Sequence, residues 1–294
     1  MYYLIYGFLY LLSLIPWPIM YGISDMVYGL IYYIIRYRKD VVLRNLSIAF
    51  PEKTEKQRIQ IAKEFYHNFT DTFIETIKLL SISTKNFEKR FTCTDIHVLN
   101  DLYATGQSVE LVSGHYFNWE FGNLGLARLS KYPFLGVYMP LSNPAFNKIV
   151  YDLRSRYGTI LLPATQFRTA FLKYAKETYM LGLVADQSPG GPDHVYWTEF
   201  FGKMTPFVKG PEKGARVNNT AVIYAYYYKV KRGHYKVDLK LLTTEPSSFA
   251  EGQLTKKMIR EIEASIRQNP ANYLWSHRRW KFEFDPEKYQ SSVV

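Results

Sequence analysis

SVELVSGHYFNWEFGNLG, Ser108 to Gly125, changes its period halfway along. Ser108–Ser113 is a short run of β-branched and apolar residues, Gly114 supplies a backbone hinge, and Phe117–Ser130 carries apolar residues at helical spacing. The stretch therefore reads as a strand, a turn and a helix, with His115 at the junction. On one continuous helix His115 and Glu120 would point roughly 140° apart and would not meet. With His115 in the turn and Glu120 in the first helical turn, the carboxylate is expected to fold back and orient the imidazole, leaving the other ring nitrogen free as a general base. That arrangement suits removal of a proton from a hydroxyl. A histidine capping a helix whose N-terminal dipole favours Glu120 accounts for the same two residues, and locally both readings stay open.

Downstream, the pattern alternates. Phe134–Met139 is expected as a buried strand, Asn143–Tyr157 as a helix ending near Arg154 and Arg156, and Gly158 as its stop. Thr159–Leu162 (strand), Phe167–Lys176 (helix) and Tyr179–Ala185 (strand) follow, the last running into Asp186-Gln187-Ser188-Pro189-Gly190-Gly191. Such alternation implies an α/β fold with a mostly parallel sheet flanked by helices. Ligands of such sheets bind beyond the carboxyl ends of the strands, where His115 and Asp186 both fall. Glu199–Gly214, rich in Gly, Pro and aromatics, reads as an irregular shaped loop, with a helix starting near Pro211. Ala221–Val230 and His234–Leu242 form two strands, and Leu254–Arg267 an amphipathic helix.

Upstream, Met1–Ile35 carries one ordinary charge, Asp25, and Pro16-Trp17-Pro18 divides it into two pieces, each shorter than the roughly 20 residues that comfortably span a bilayer. Nine tyrosines between Tyr2 and Tyr37 favour the headgroup boundary. Residues 1–36 are thus expected to form an apolar helical membrane anchor and 37–294 a catalytic domain. Arg36, Arg38, Lys39 and Arg44 follow the apolar segment, which places the remainder on the cytoplasmic side. Thr54 caps a long helix to Leu80 with an apolar face through Ile59, Ala62, Phe65, Tyr66, Phe69, Phe73 and Ile77.

With 47% apolar residues and a formal charge of +11 over 294 residues, the chain is an ordered protein suited to anionic partners. The single Cys93 excludes an internal disulfide framework and a multi-cysteine zinc site, and no second histidine lies near His115 in sequence, so no metal is expected. There is no G-x-S-x-G elbow, no phosphate-binding G-x-x-x-x-G-K-[ST] and no G-x-G-x-x-G after a strand. What remains is direct transfer with a histidine base, to an acceptor that brings its own hydroxyl.

Taken in order, the apolar start, NLSIAFP (Asn45–Pro51), GHYFNWE (Gly114–Glu120), YGTILLP (Tyr157–Pro163) after Arg154 and Arg156, ADQ (Ala185–Gln187), FFGKMTPFVKG (Phe200–Gly210) and YLWSHRRWK (Tyr273–Lys281) resemble the bacterial lipid A biosynthesis (late, secondary) acyltransferases, a branch of the lysophospholipid acyltransferase superfamily. The resemblance implies a glycerolipid-acyltransferase-like fold and transfer of a fatty acyl chain from acyl carrier protein to a hydroxyl of a phosphorylated, acylated glucosamine disaccharide. It places this at the cytoplasmic face of the inner membrane, with the carrier thioester as co-substrate and no other cofactor. It makes His115 the base and Glu120 its orienter, sets Arg154 against a phosphate or the developing oxyanion, and has Asp186 position its loop or an arginine. Lys209, Arg278 and Arg279, with Arg36, Arg38 and Lys39, are the cations expected to meet headgroups or acceptor phosphates. Two departures from the family's pattern stand out: Tyr138-Met139-Pro140 where relatives often have Tyr-Arg-Pro, and a more cationic loop at Lys203, Lys209 and Lys213. The rival readings are the same chemistry on an aminolipid or lysophospholipid, and a non-catalytic tether binding anionic lipid or nucleic acid. Intact His115, Glu120, Arg154 and Asp186 favour the enzyme, for which no nucleic-acid partner is expected.

Overall fold

The alternation closes into a seven-stranded sheet in a computed structural model that describes Met1–Val294. The chain opens with α1 (Tyr2–Leu14), α2 (Trp17–Gly29, prolonged by a π-helical turn over Leu30–Ile35), α3 (Lys39–Ala49) and the long α4 (Glu55–Leu79). Then come α5 (Thr84–Glu88), β1 (Phe91–Cys93), α6 (Ile96–Ala104), β2 (Val109–Ser113), α7 (Trp119–Leu129), β3 (Phe134–Tyr138), α8 (Pro144–Arg154), β4 (Ile160–Pro163), α9 (Phe167–Phe171) and β5 (Met180–Val184). The hairpin β6 (Val195–Phe200) and β7 (Lys203–Val208), α10 (Gly210–Asn218), β8 (Ala221–Lys231), β9 (His234–Thr243), α11 (Gln253–Gln268) and α12 (Pro286–Tyr289) complete it.

The strand order is β1-β9-β8-β2-β5-β3-β4. β8, β2, β5, β3 and β4 run parallel; β9 is antiparallel to β8, and β1 pairs parallel with β9. All five residues of β2 are buried, as expected of a central strand covered on both faces. From β2 the chain leaves through α7 toward β3, whereas from the adjacent β5 it leaves through the hairpin and α10 toward β8. The loops part between these two strands, which opens a crevice at their carboxyl ends.

Local signals explain much of this. The Thr54 hydroxyl accepts from Gln57 N, and the Gln57 side chain accepts from Thr54 N at 2.8 Å, a capping box that starts α4 where the sequence placed it. Two expectations need correction. Glu199–Gly214 is not irregular: it supplies most of the β6–β7 hairpin, turned at Phe201 and Gly202, both at positive φ. A two-residue turn of this hand favours Asn-Gly or Asp-Gly. Here Phe201 fills the first position, with its N–H donating to Glu263 Oε2 at 2.7 Å and its ring edge-on to Phe50. The helix expected over Phe167–Lys176 stops at Phe171 and gives way to turns.

α4 has a second face that apolar periodicity did not reveal. Asp71, Glu75 and Lys78, at i, i+4 and i+7, form a buried polar stripe turned toward the N-terminal helices. Lys78 Nζ donates to the Ser13 and Ile15 carbonyls at the end of α1, satisfying groups that a helix terminus leaves open. Asp71 accepts from Ser24 of α2 and, through both oxygens, from Arg232, which also pairs with Asp25. Glu75 accepts from Tyr21, Tyr235 and Asn118. The opposite side of α1 and α2 exposes Tyr3, Leu4, Phe8, Leu11, Ile19, Met26 and Ile34. Trp17–Ile35 is the one helical stretch long and apolar enough to cross a membrane.

The boundary drawn at residue 36 is thus crossed by hydrogen bonds to buried charged groups, from Lys78 to the Ser13 and Ile15 carbonyls, from Ser24 to Asp71 and from Tyr21 to Glu75, and by the half-exposed Asp25–Arg232 pair. Deleting residues 1–36 leaves the buried Lys78 ammonium without its two carbonyl acceptors and takes Ser24 from Asp71, which keeps Arg232; a buried polar group left unsatisfied typically costs about 1–3 kcal/mol, more when it is charged. A truncated protein is expected to melt well below the full chain and to be cut faster by protease; unchanged melting would show that these contacts contribute little.

Burial and the neighbouring Asp71 push the Glu75 carboxyl up to about 7, against the hydrogen bonds from Tyr235 and Asn118. Glu110, in the middle of β2 with no partner for Oε1, is also pushed up by burial. Both bind a proton in the fold that the unfolded chain has released, so their stabilisation is complete below the unfolded value near 4.5. The Glu75 share is lost as pH rises through about 7. For Glu75 the loss is on the order of 3 kcal/mol. The melting temperature should fall between pH 5 and pH 8, less in Glu75→Gln and least in Glu75→Gln/Glu110→Gln; equal slopes in all three would contradict the assignment.

Candidate active site

β2 and β5 pair in parallel with Val109 opposite Met180 and Ser113 opposite Val184. The ladder continues one step through Ala185 N donating to Ser113 O at 3.2 Å. Two residues beyond each strand, the same register sets His115 opposite Asp186, and their side chains meet: Nδ1 to Oδ1 is 2.6 Å. Asp186 is 1% exposed and the imidazole 26%, so the carboxylate is hidden behind a ring that remains accessible. Burial pushes the Asp186 carboxyl up, but the charge and hydrogen bond of His115 outweigh it and hold it at about 2. A permanently ionised acceptor fixes Nδ1 as the protonated nitrogen and leaves Nε2, which makes no hydrogen bond within the protein, as the basic one.

The turn carrying His115 is pinned from the C-terminal segment. Leu274 N donates to His115 O, and Phe117 N donates to Asn272 O, each at 3.0 Å. Tyr273 lies buried beside Asp186. His277 Nε2 accepts from Ser188 N at 3.0 Å, tying down the loop that leaves Asp186. Burial lowers His277 to about 4, which keeps it neutral and able to accept.

Glu120 does not orient His115 in this geometry. It lies in the first turn of α7, whose N-cap Asn118 accepts from Glu120 N at 3.0 Å, and faces α8. Arg154 grips it, with Nε at 3.1 and 3.0 Å from the two oxygens and Nη2 at 2.6 Å, while Trp119 Nε1 donates to Oε1. A guanidinium fork matches a carboxylate better than any single donor. Asp186, standing level with His115 on the neighbouring strand, takes the position expected of Glu120.

His115, Glu120 and Arg154 all line one cavity of about 510 Å³ between α7, α8 and the sheet. Its rim is apolar and exposed at Phe73, Met139, Leu141 and Val184. It lies on the side of α1, whose Tyr2 hydroxyl donates to Asp152 of α8 at 3.1 Å. The other expected cations are elsewhere. Arg279 is 1% exposed, donates to Pro206 O at 2.8 Å and sits 4.0 Å from the Phe207 ring centre. It is a structural cation, not a surface one. Lys209 lies over the Tyr196 ring near Glu251 and does not line the cavity. Arg278 is exposed, and Arg38 reaches the same region by donating to Ser276 O. No group of three or more His, Cys, Asp or Glu residues is placed to hold a metal. His277 and Tyr273 stood inside a recognisable motif, but nothing local in the sequence linked them to Asp186.

The site is thus a histidine–carboxylate pair at the carboxyl ends of a mostly parallel sheet, beside a largely apolar cavity. The family model for the bacterial lipid A biosynthesis acyltransferases matches residues 1–282, and the chain belongs to that family. It is similar to the lipid A biosynthesis lauroyltransferase of Escherichia coli, 22% identical over 279 residues covering 94% of this chain and 89% of the relative. The palmitoleoyltransferase of the same organism is 20% identical with the same coverage. A lipid A biosynthesis acyltransferase of Haemophilus influenzae is 23% identical over 249 residues, 83% of this chain and 78% of its own.

The pairing of Glu120 with Arg154 can be measured without any assay of activity. A thermodynamic cycle of Glu120→Gln, Arg154→Met and the double variant should give a coupling of about 1–3 kcal/mol in unfolding free energy, as for residues in direct contact. Additive single effects would show that the ion pair does not operate in solution.

Proposed function

We propose that the protein transfers a fatty acyl chain from the thioester of acyl carrier protein to a hydroxyl of a lipid A precursor, at the cytoplasmic face of the inner membrane. The observation that carries the reading is the 2.6 Å His115–Asp186 contact, which leaves Nε2 unpaired in a residue lining the apolar cavity. The acceptor O–H gives its proton to Nε2 as its oxygen attacks the thioester carbonyl. The tetrahedral oxyanion then collapses, the C–S bond breaks, and the imidazolium returns the proton to the departing thiolate. The products are an ester and the free carrier thiol. Asp186 stays ionised throughout and stabilises the imidazolium. Arg154 has Nη1 without a partner after its Nε and Nη2 engage Glu120, and in this reading Nη1 faces the developing oxyanion.

Membrane association follows in this reading from the exposed apolar side of α1 and α2 and from the apolar rim of the cavity, which lets an acceptor lipid enter tail-side first. The net charge of +11 suits an acidic carrier and a phosphorylated acceptor.

The test is to incubate purified protein with long-chain acyl carrier protein and a tetra-acylated lipid A precursor, then weigh the lipid by mass spectrometry. Gain of one acyl chain is expected, and none on lysophospholipid or aminolipid. His115→Ala should lower turnover by about 10²–10⁴-fold. Asp186→Asn should lower it comparably without unfolding the protein, and the two losses should not add, since both residues serve one proton transfer. An Asp186→Asn protein within about tenfold of wild type, beside a folded but inactive Glu120→Gln, would return the orienting role to Glu120.

A further inference from the structure

Glu75 is fully buried on α4, and the groups that donate to it arrive from three other elements. Tyr21 of α2 reaches Oε1 at 3.1 Å, Tyr235 of β9 reaches Oε2 at 2.5 Å, and Asn118 Nδ2 shares Oε2 at 3.2 Å. Asn118 is as deeply buried, and both ends of its amide are committed: Nδ2 donates to Glu75 while Oδ1 accepts from Glu120 N at 3.0 Å and caps α7. Aspartate caps a helix equally well but, when ionised, has no hydrogen to give, and serine, one atom shorter, does not span both groups. An amide is needed here because α4 offers a carboxyl. From Tyr116–Asn118 this is the one hydrogen bond to α4; the others that leave these residues for distant elements run to the C-terminal segment, β8 and α11. Both α4 and α7 wall the cavity that holds His115, through Thr72 and Thr76 on one side and Trp119 and Asn123 on the other. The Glu75–Asn118 bond holds these two walls at a fixed spacing.

We propose that Glu75 is a positioning residue for the reaction: acting through the Asn118 amide, it fixes the first turn of α7 and with it the Glu120–Arg154 pair that lines the cavity with His115. This rests on the acyl-transfer reading above. The chain of contacts is short. Glu120 lies two residues beyond Asn118, in the first turn of α7, and its carboxylate takes three contacts from Arg154 and one from Trp119. Whatever moves the cap moves Glu120, and Arg154 follows because its Nε and Nη2 are held there. In the reading above Arg154 Nη1 faces the developing oxyanion, so a shift is felt in the transition state more than in binding. A misplacement of about 1 Å can cost on the order of 10²-fold. Stability alone does not call for a carboxyl at this position. Burying one is expensive even when it is bonded, and an apolar side chain of similar size would pack on α4 at less cost. What an apolar side chain cannot do is accept from Asn118.

The experiment compares kcat and KM for transfer from long-chain acyl carrier protein to the tetra-acylated precursor in full-length Glu75→Met, Glu75→Gln, Asn118→Ser and Tyr21→Phe, at a temperature where melting curves show each to be folded. Glu75→Met keeps the length and removes both acceptors; it should lose at least about tenfold in kcat with KM for the lipid within about threefold. Glu75→Gln should stay within about threefold of wild type, since its oxygen serves Asn118 and Tyr235 and its NH2 donates to the Tyr21 oxygen. Asn118→Ser still caps α7 and should lose as much as Glu75→Met, and the double variant no more than either. Tyr21→Phe removes a bond to the same carboxyl without touching Asn118, and should melt lower yet keep its turnover. A folded Glu75→Met within about tenfold of wild type, additive losses, or a Tyr21→Phe as impaired as Glu75→Met would each overturn the proposal. Asn118→Ser set against Tyr21→Phe carries the comparison if methionine is not tolerated. If wild type turns over no donor, the acyl-transfer reading fails, and positioning is read instead from fluorine NMR of protein labelled with fluorotryptophan, the Trp119 line being assigned with Trp119→Phe. That line should move in Glu75→Met and Asn118→Ser and hold its place in Glu75→Gln and Tyr21→Phe; an unmoved line in Glu75→Met rejects the proposal.

Discussion

The parallel register of β2 against β5 is the constraint on which the site depends. Parallel pairing fixes residues level with one another along both strands, and here it continues past the last ladder bond so that His115 and Asp186 arrive opposite each other. A slip of one residue would turn every side chain of one strand to the other face, which would part His115 from Asp186. β2 is covered completely, and its five residues pair level with Met180–Val184 along the whole strand. The backbone of Asn272–Leu274 then clamps the turn after β2, and His277 clamps the loop after β5. Both ends of the pair are therefore fixed by one C-terminal segment, which accounts for an aromatic and basic stretch so far from His115 in sequence.

The polar stripe of α4 joins the apolar N-terminus to this machinery. Glu75 accepts from Tyr21 of α2 and also from Asn118, the N-cap of α7. A helix that starts at Asn118 presents Glu120 in its first turn, so the placement of one cavity wall is bonded through a single buried carboxyl to a helix with an exposed apolar side. Buried charges are tolerated only when paired and hydrogen-bonded. Lys78 meets that condition through two carbonyls at the end of α1, and Asp71, already paired with Arg232, gains a further donor in Ser24 of α2.

What the sequence conveyed and what it withheld divide along the range of the interactions. The cap at Thr54, the strands β2, β3, β5, β8 and β9, and the position of His115 at a strand-to-helix turn are local, and period and turn chemistry reveal them. The partner of His115 is 71 positions away, and only the sheet order brings it close. Glu120 was the natural choice because it is near in sequence; it belongs to Arg154 because α7 and α8 lie side by side. Arg279 read as a surface cation because arginine usually is one, yet aromatic faces and a carbonyl enclose it. The β6–β7 turn escaped because Phe201 occupies a left-handed position that usually signals Asn or Gly. β1, three residues long, has too little pattern to be recognised.

Gly136 and Gly182 stand opposite each other on the neighbouring strands β3 and β5. Each forgoes packing and costs roughly 0.5–1 kcal/mol relative to alanine through backbone entropy. Neither Gly136 nor Gly182 has positive φ, so no backbone conformation demands them. A Cβ at Gly136 would meet its nearest neighbour at 3.1 Å, tight but open to small adjustment, and one at Gly182 would press on a single ring edge. Steric necessity therefore holds at Gly182, where the Phe134 ring occupies the place of a side chain, and is weaker at Gly136. The registers that set His115 level with Asp186 at the carboxyl ends of β2 and β5 also bring Phe134 of β3 beside Met180, two residues below Gly182, so that an aromatic ring from one strand covers the bare position of the next.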